Sequence, residues 1–240
     1  MISRTAYPPI WSELQKQSRT HVYPRDVEIF HQRASLDEVY YVESGIVKIV
    51  RTHSNGQEVI FRLSFPGTWL GIMAVIANTP TPVSAITCTP TSLMPLPAET
   101  FRELLKTDRE FSVWIHELHA RQLCRQAAWV GHLTAGTSRQ RLQAMIYEFV
   151  IASRPQDSDR SVRVHVPLRH WELASLIAVT PEHLSRLLAQ MRREGIIRRE
   201  KGWVILSDLR QLTADTESQD LRLCDAEPPH ATLDPSHDFD

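Results

Sequence analysis

Residues 166–206 read VPLRHWELASLIAVTPEHLSRLLAQMRREGIIRREKGWVIL and carry the clearest structural pattern in the chain. The first part has apolar residues at helical spacing, which predicts an amphipathic helix buried through Leu173, Leu176 and Ile177. The pattern breaks at residues 178–179. Thr180 then offers the side-chain oxygen of an N-cap, Pro181 suits the first helical position, and Glu182 suits the positive end of a helix.

A second helix is predicted from Pro181 onward. Its apolar residues give it a buried face that consists of Leu184, Leu187, Leu188 and Met191. Gly195 is suited to end this helix, and Arg192 and Arg193 lie in the last turn, where cations favour the helix dipole. Two helices joined by a tight turn predict a helix-turn-helix, whose second helix enters the major groove of DNA.

The polar face of the second helix indicates what it would contact. Glu182, Ser185 and Arg186 stand at i, i+3 and i+4, so they share one side within the first two turns. Arginine can bind guanine O6 and N7, glutamate can accept from cytosine N4, and serine can bind either kind of partner. We predict that these three residues contact bases. The same spacing also suits an ordinary surface ion pair between Glu182 and Arg186.

A basic β-hairpin is predicted directly after this helix. Apolar residues at 196–197 and 204–206 flank three basic residues and a turn residue, which are Arg198, Arg199, Lys201 and Gly202. Such a wing suits contact with phosphates and favours DNA binding over the surface ion pair. We assign contacts with the DNA backbone to Arg169, Thr180, His183, Arg199 and Lys201.

The N-terminal half has the sequence pattern of a β-protein. Short β-prone runs occur at residues 39–42, 46–50, 59–63, 69–70, 84–88 and 92–96. Asn55-Gly56 is a hairpin signal, and four glycines fall at predicted strand junctions, namely Gly45, Gly56, Gly67 and Gly71. This pattern predicts a small antiparallel barrel or jelly roll. A cupin-type metalloenzyme would need clustered histidine ligands, whereas His21, His31 and His53 are isolated and are interpreted as surface residues.

Both regions resemble one known family. Residues 166–209 resemble the DNA-binding domain of the Crp/Fnr regulators, and residues 41–71 (YVESGIVKIVRTHSNGQEVIFRLSFPGTWLG) resemble their cyclic-nucleotide-binding-type sensor barrel. The order Glu182, Ser185, Arg186 is similar to the Fnr-like recognition helix E-x-x-S-R. The resemblance implies a two-fold operator with TTGAT-type half-sites and RNA polymerase as a further partner.

The chain departs from this family pattern in the turn and in the barrel. Ala178 stands where a turn glycine is usual, and a left-handed alanine costs roughly 1 kcal/mol. Pro181 occupies a position that is often basic in the Crp-like branch, which disfavours a Crp-type readout. Family members that bind cyclic nucleotides have an acidic residue just after the position of Gly71. Further along the chain they have a basic residue that is followed by Ser or Thr. The corresponding residues here are Ile72 and Val83-Ser84.

The scarcity of charged residues in the barrel is a second argument against a cyclic-nucleotide site. Between Arg62 and Arg102 there is no Lys or Arg, and Glu99 is the only acid. Burying a phosphate without a counter-charge is expensive, although backbone amides can cradle one. We therefore predict that the barrel does not bind a cyclic nucleotide. The sequence also lacks the cysteine set of an iron–sulfur centre, because Cys88, Cys124 and Cys224 are far apart.

Residues 108–134 are predicted to form a long helix with two apolar stripes. One stripe is a narrow seam that favours a parallel dimer, and it includes Val113, His116, Ala120, Leu123, Ala127 and Val130. The other would pack on the barrel and consists of Phe111, Trp114, Ile115 and Leu118. A single buried helix is the alternative. Cys124 beside the seam is a candidate redox sensor or a structural cysteine, and His116 and His119 are interpreted as solvent-facing residues rather than metal ligands.

Composition is ordinary for a globular protein, with 42% hydrophobic and 23% charged residues, but charge is unevenly distributed. The net charge is −1 overall and −7 in residues 213–240, so residues 1–212 carry +6, which suits a polyanionic partner. The acidic segment is predicted to be disordered. We see no secretory signal, and the longest apolar run, residues 72–77, is too short to span a membrane, so we expect a cytoplasmic protein.

These patterns predict an α+β protein and a homodimeric, sequence-specific transcription regulator that is not an enzyme and needs no cofactor. The predicted parts are a lead-in (1–20), a sensor barrel (21–107), a dimerisation helix with a hinge (108–136), a winged helix-turn-helix (137–212) and the acidic tail (213–240). The hinge is expected at Gly131 and at residues 134–137, and a helix is predicted from Ser138. A sensor module without DNA activity is the main alternative, and a cupin-like metalloenzyme is a more distant one.

Overall fold

The computed structural model describes residues 7–153, 162–200 and 203–207. It divides into two compact units, and the boundary falls between Arg121 and Gln122. The mixture of antiparallel sheets and helices agrees with the predicted α+β class.

The first unit contains two four-stranded antiparallel sheets. Its strands are β1 His21–Tyr23, β2 Glu28–Phe30, β3 Glu38–Ser44, β4 Val47–Thr52, β5 Glu58–Ser64, β6 Trp69–Leu70, β7 Ser84–Thr87 and β8 Thr91–Pro97. The strand orders in the two sheets are β1-β8-β3-β6 and β2-β7-β4-β5. Its helices are α1 Trp11–Gln17, α2 Ile72–Ala77, α3 Ala98–Thr107 and the first part of α4 Arg109–Ala135.

All six β-prone runs form strands, and the four predicted junction glycines have positive φ angles. At Gly45, where φ is +84°, a Cβ would lie 2.5 Å from the carbonyl oxygen of Pro90, so only glycine fits the bend. Strands β1 and β2 and helices α2 and α3 were not predicted. Each of these two strands has only three residues and is fixed by pairing with a strand distant in the sequence, β1 with β8 and β2 with β7.

An aromatic cluster lies at the centre of the first unit. Trp11 of α1, Trp69 of β6 and Trp114 of α4 lie with ring centroids 5.2–6.2 Å apart. Tyr41 and Phe101 also contact this group. The stripe of α4 that was predicted to pack on the barrel lies in this core, since three of its members are buried and the fourth packs against them; they are Phe111, Trp114, Ile115 and Leu118.

The end of α4 differs in detail from the predicted hinge. Gly131 and residues 134–135 are helical, and the helix stops before Gly136. A Cβ at residue 136 would lie 2.7 Å from the carbonyl oxygen of His132, so glycine permits this close approach. Thr137 and Gln140 then form a capping box, with the Thr137 N–H donating to Gln140 Oε1 at 2.8 Å and the Gln140 N–H donating to Thr137 Oγ1 at 3.2 Å.

The second unit continues from the end of α4 with three helices and one small sheet. Its elements are α5 Ser138–Ser153, β9 Val162–His165, α6 His170–Leu176, α7 Pro181–Arg193, β10 Ile197–Glu200 and β11 Trp203–Leu206. The strands form an antiparallel sheet of order β10-β11-β9. Strand β9 was not predicted. It pairs with β11 and alternates buried and exposed residues, with Val162 and Val164 facing the core.

Candidate nucleic-acid interface

The turn between α6 and α7 has the geometry that the sequence suggested. Ala178 has a φ of 52°, so this alanine adopts the left-handed conformation that a glycine would adopt without strain. The Ala178 N–H donates to the carbonyl of Ser175 at 3.1 Å, and the Val179 N–H donates to the carbonyl of Ala174 at 3.0 Å. These two hydrogen bonds end α6 and set the direction in which α7 begins.

Helix α7 begins at the predicted cap. Thr180 is the N-cap, its Oγ1 accepts a hydrogen bond from the His183 N–H at 3.2 Å, and Pro181 follows in the first turn. The pKa of Glu182 lies below its usual value because its carboxylate accepts hydrogen bonds from its own N–H and from Thr180, with further help from the charges of Arg186 and His170. Glu182 is therefore an anion at neutral pH.

The other end of α7 is closed by a Schellman motif. Gly195 has a φ of 75°, and its N–H donates to the carbonyl of Arg192 at 3.1 Å. The N–H of Ile196 donates to the carbonyl of Met191 at 3.0 Å. The helix thus ends where the sequence predicted, and the chain turns directly into β10.

Helix α7 has one buried face and one exposed face. The predicted apolar stripe is buried, and it consists of Leu184, Leu187, Leu188 and Met191. Glu182, Ser185 and Arg186 are all exposed. The helix therefore presents a carboxylate, a hydroxyl and a guanidinium together, which is a set of groups that can read base edges in a major groove.

Sequence patterns gave no sign of a fourth residue at this surface. His170, the first residue of α6, places its Nε2 2.9 Å from the carbonyl oxygen of Pro181 and 3.0 Å from Ser185 Oγ. Because a carbonyl can only accept, Nε2 carries a proton, and His170 fixes the position of the Ser185 side chain. This contact depends on how α6 packs on α7, and no spacing in the sequence encodes it.

The five residues assigned to backbone contacts differ in their surroundings. Arg169 and Thr180 are exposed. His183 is half-buried, and its Nε2 lies 2.9 Å from Ser138 Oγ on α5, so this side chain also connects two helices. The side chain of Arg199 and all of Lys201 lie outside the described residues. Arg198 of the wing is described and exposed.

Helix α5 holds the helix-turn-helix through two arginines. Arg141 donates from Nε to the carbonyl of Ile177 at 2.7 Å and from Nη1 to the carbonyl of Gly136 at 2.8 Å. Its guanidinium therefore joins the break after α4 to the turn before α7. Arg139 forms an ion pair of 2.7 Å with Glu194 at the end of α7, and both side chains are partly exposed.

The seam predicted on α4 is exposed in the single chain. Leu123 is 57%, Val130 55% and Val113 49% exposed, and Ala120 and Ala127 are exposed as well. Apolar side chains with this much contact with water are typical of an interface. Cys124 beside them is exposed and has a free thiol, which leaves it accessible.

The barrel residues at the cyclic-nucleotide positions carry no charge. Ile72 is buried at the start of α2, and Ser84 is buried with its Oγ accepting a hydrogen bond from the Gln32 N–H at 2.9 Å. The predicted surface histidines His21, His31 and His53 are exposed. His119, however, is half-buried, so its interpretation as a solvent-facing residue is wrong.

Within the described ranges, no three His, Cys, Asp or Glu side chains are grouped closely enough to hold a metal ion. In the same part of the chain, no helix combines the length and the apolar character needed to cross a membrane.

Two family profiles match the chain. Residues 20–108 match the cyclic nucleotide-binding domain, and residues 140–214 match the Crp-like helix-turn-helix domain. The chain is similar to the cyclic AMP receptor protein of Thermus thermophilus, with 27% identity over 76% of this chain and 81% of that protein. It is also similar to the transcriptional regulator LdrP of the same organism, with 28% identity over 82% and 96% of the two chains.

Solved structures show the same architecture. FixK2 from Bradyrhizobium japonicum superposes with a TM-score of 0.72 at 19% identity, over 82% of this chain and 96% of that one. A CRP-family transcriptional regulator from Thermus thermophilus superposes with a TM-score of 0.67 at 24% identity, over 83% and 95%. The two matched profiles and the similarity to LdrP support a Crp-like transcription regulator with a cyclic nucleotide-binding domain and a helix-turn-helix DNA-binding domain. In both of its domains, the chain is thus similar to transcription regulators of the Crp/Fnr family.

Proposed function

We propose that this protein is a sequence-specific regulator that binds a two-fold operator with TTGAT-like half-sites as a homodimer. The observation that carries this proposal is the exposed group of Glu182, Ser185 and Arg186 on α7, whose N-terminal turns present these side chains together. Glu182 is charged at neutral pH, and His170 orients Ser185. These base-reading groups have the order of the Fnr-like recognition helix.

Homodimerisation is supported by the exposed seam of α4. A two-fold operator requires two copies of α7 related by a two-fold axis. A narrow row of Ala, Leu and Val on a 27-residue helix is suited to pack against its own copy in parallel. The break at Gly136 then sets the spacing of the two recognition helices, and ligands act by shifting the population between spacings.

Several finer assignments belong to the same proposal. The domain limits are those predicted from the sequence, with the barrel at 21–107, the dimerisation helix at 108–136 and the winged helix-turn-helix at 137–212. The protein acts in the cytoplasm and contacts RNA polymerase at its promoters. Arg169, Thr180, His183, Arg199 and Lys201 contact the DNA backbone, and Cys124 is a candidate for redox sensing because its thiol is exposed.

The experiment that tests DNA reading starts with the sequencing of genomic fragments bound by the purified protein. The recovered operator is then used with the variant Arg186→Ala, which we expect to lose about 1–3 kcal/mol of specific binding because a bidentate contact with guanine is removed. Random DNA of equal length should be bound as before. Equal losses of affinity for the operator and for random DNA would show that Arg186 does not contact bases.

Two control variants separate base reading from general attraction to DNA. Lys201→Ala should weaken binding to all sequences alike and lower the slope of log affinity against log salt by about one. Gln190→Ala changes an exposed residue on α7 beyond the first two turns, and it should leave operator affinity unchanged. A protein that binds no duplex DNA in a salt-dependent manner would instead be a sensor module without DNA activity.

A further inference from the structure

The hydroxyl of Ser185 on α7 is held by a side chain from another helix. His170 begins α6, and its Nε2 lies 2.9 Å from the carbonyl oxygen of Pro181 and 3.0 Å from Ser185 Oγ. Since the carbonyl can only accept, the proton on Nε2 is shared between these two oxygens in a three-centre hydrogen bond. Ser185 Oγ is therefore an acceptor toward His170, because a protonated Nε2 has no lone pair that could accept the serine proton.

This contact decides what the Ser185 hydroxyl can offer to a partner. A serine hydroxyl carries one proton and can in general either donate or accept. Here the oxygen already accepts from Nε2, so the proton has to point in another direction. In the part of the chain that the structure describes, His170 is the only hydrogen-bond partner of the Ser185 side chain, which is exposed. The proton is thus available to a group that approaches from solvent.

The position of His170 is itself fixed by the start of α6. The Arg169 N–H donates to Glu172 Oε2 at 2.8 Å as part of a capping box, and Glu172 is buried. The half-buried ring of His170 also lines a small cavity together with Leu173 and Leu188. His170 is therefore a donor that the packing of α6 on α7 holds in place.

The two neighbours of Ser185 on the exposed face of α7 have only one hydrogen-bonding role each. The ionised carboxylate of Glu182 can only accept, and the guanidinium of Arg186 can only donate. Ser185 is the member of this group whose role depends on its surroundings. With His170 in place, the face presents one acceptor followed by two donors.

We propose that His170 is a specificity-determining residue, which holds the Ser185 hydroxyl as a donor so that the base read by Ser185 must present an acceptor. This inference rests on the proposed function and deepens it, since Ser185 alone could read either kind of partner. In the major groove the acceptors are purine N7, guanine O6 and thymine O4. Cytosine presents only its N4 donor there, so it is rejected at this position. His170 acts through Ser185 and is thus a positioning residue.

The test uses the full-length protein and the operator recovered from bound genomic fragments. In one half-site, 7-deaza analogues remove N7 from each purine in turn, 2-aminopurine removes O6 from each guanine, and 5-methyl-2-pyrimidinone removes O4 from each thymine. We expect one position at which the lost acceptor weakens wild-type binding by roughly 2- to 10-fold, the value of one neutral hydrogen bond, but does not weaken Ser185→Ala. Cytosine at that position should weaken wild-type binding at least as much.

Variants of His170 then show whether it sets this preference. His170→Leu removes the donor, so the acceptor analogue at the Ser185 position should weaken its binding by less than about 2-fold. Its penalties at the other positions and its salt dependence should match those of wild type. His170→Gln places an amide N–H close to the position of Nε2 and should restore the wild-type preference. His53→Leu, the same change at an exposed histidine of the barrel, is the matched control and should read the operator like wild type.

A measurement without DNA checks the proton on His170. Histidine-selective ¹⁵N NMR of the full-length protein, with the signals of His170 identified by their loss in His170→Gln, should show a proton on Nε2. A neutral ring with its proton on Nδ1 alone would overturn the proposal. This readout holds even if His170→Leu fails to fold.

Four results with DNA would also overturn it. Ser185→Ala has the analogue profile of wild type, cytosine is preferred at the Ser185 position, or His170→Leu keeps the wild-type profile. In the fourth, His170→Leu weakens all sequences alike and lowers the salt slope by about one, which would make His170 a phosphate contact. Absence of any sequence-specific binding would overturn the proposed function together with this inference. Operator reading that depends on Arg186 but not on His170 would overturn the inference alone.

Discussion

The winged helix and the barrel present their polar chemistry in opposite ways. Helix α7 exposes Glu182, Ser185 and Arg186 on one face, and its leucines hold that face in place from behind. The barrel instead buries uncharged side chains at Ile72 and Ser84. The DNA-binding unit thus exposes its polar groups at the surface, whereas the barrel residues at the cyclic-nucleotide positions are buried and uncharged.

The difference also explains which site can be recognised in a sequence. The exposed residues of α7 lie within two helical turns, so helical periodicity alone places them together. His170 and Ser185 come from two different helices, and only the packing of α6 on α7 brings their side chains to within 3.0 Å. Polar residues that share one helix or strand can be grouped from the sequence, whereas pairs from different helices or strands cannot.

The largest effect is expected from separating the two protomers of the proposed dimer at the seam of α4. Leu123→Glu with Ala127→Glu places like charges near a two-fold axis, and burying an unpaired carboxylate costs several kcal/mol. The double variant should be a folded monomer by light scattering, with an intact barrel and winged helix. Its affinity for a full operator should fall by at least about 100-fold, which corresponds to losing about 2.7 kcal/mol.

Ala135→Glu supplies the control for oligomeric state, because residue 135 is exposed on the same helix but lies off the seam. It should remain a dimer. The double variant should also bind a single half-site as well as wild type does. If it stays a dimer with full operator affinity, the seam has been assigned to the wrong face of α4.

A smaller effect is expected from Arg141→Gln within the winged helix. This change removes hydrogen bonds to the carbonyls of Ile177 and Gly136, and each bond from a charged donor contributes about 1.5–3 kcal/mol when buried. Because Arg141 is half-buried, we expect a total loss of about 2 kcal/mol in urea unfolding. Arg139→Gln removes only a partly exposed ion pair and should cost less than about 1 kcal/mol. Equal losses for both variants would show that the bridge made by Arg141 is unimportant.

Ala178→Gly should have an effect of the opposite sign. With φ at 52°, alanine carries a left-handed strain of roughly 1 kcal/mol that glycine does not. The variant should therefore raise the midpoint of thermal unfolding. Ala189→Gly, within helix α7, is the control and should lower stability by about 1 kcal/mol. A destabilised Ala178→Gly variant would mean that the turn is held by contacts of the methyl group.

The smallest effect, none at all, is expected when cyclic AMP or cyclic GMP is added. Ile72 and Ser84 supply no charge to a phosphate, and the Ser84 hydroxyl already accepts the Gln32 N–H. A ligand at 100-fold its dissociation constant would stabilise the fold by about 2.7 kcal/mol. A thermal shift of that size at millimolar nucleotide would contradict this prediction. The barrel would then resemble the relative that is named a cyclic AMP receptor protein in its ligand as well.

Much of the fold could be predicted because local sequence patterns determine where its helices and strands begin and end. The cap at Thr180 and the end at Gly195 follow from residue chemistry at single positions, whereas the left-handed Ala178 was expected only because the family usually has a turn glycine there. Strand β9 was missed because its four residues gain their structure from pairing with β11, which is distant in the sequence. His170 and His119 were missed or misread for the same reason, since tertiary packing alone decides their contacts.

The bridge made by Arg141 also determines where the DNA-binding part of this chain can be excised. The Crp-like helix-turn-helix match begins at residue 140, but a fragment cut there would lose the carbonyl of Gly136, the capping box of Thr137 and the Ser138 hydroxyl near His183. Arg141 would keep one of its two acceptors. A fragment that begins at residue 136 retains all of these contacts. We therefore expect residue 136 to be the latest starting point for a fragment that is stable and can be transplanted as a DNA-binding module.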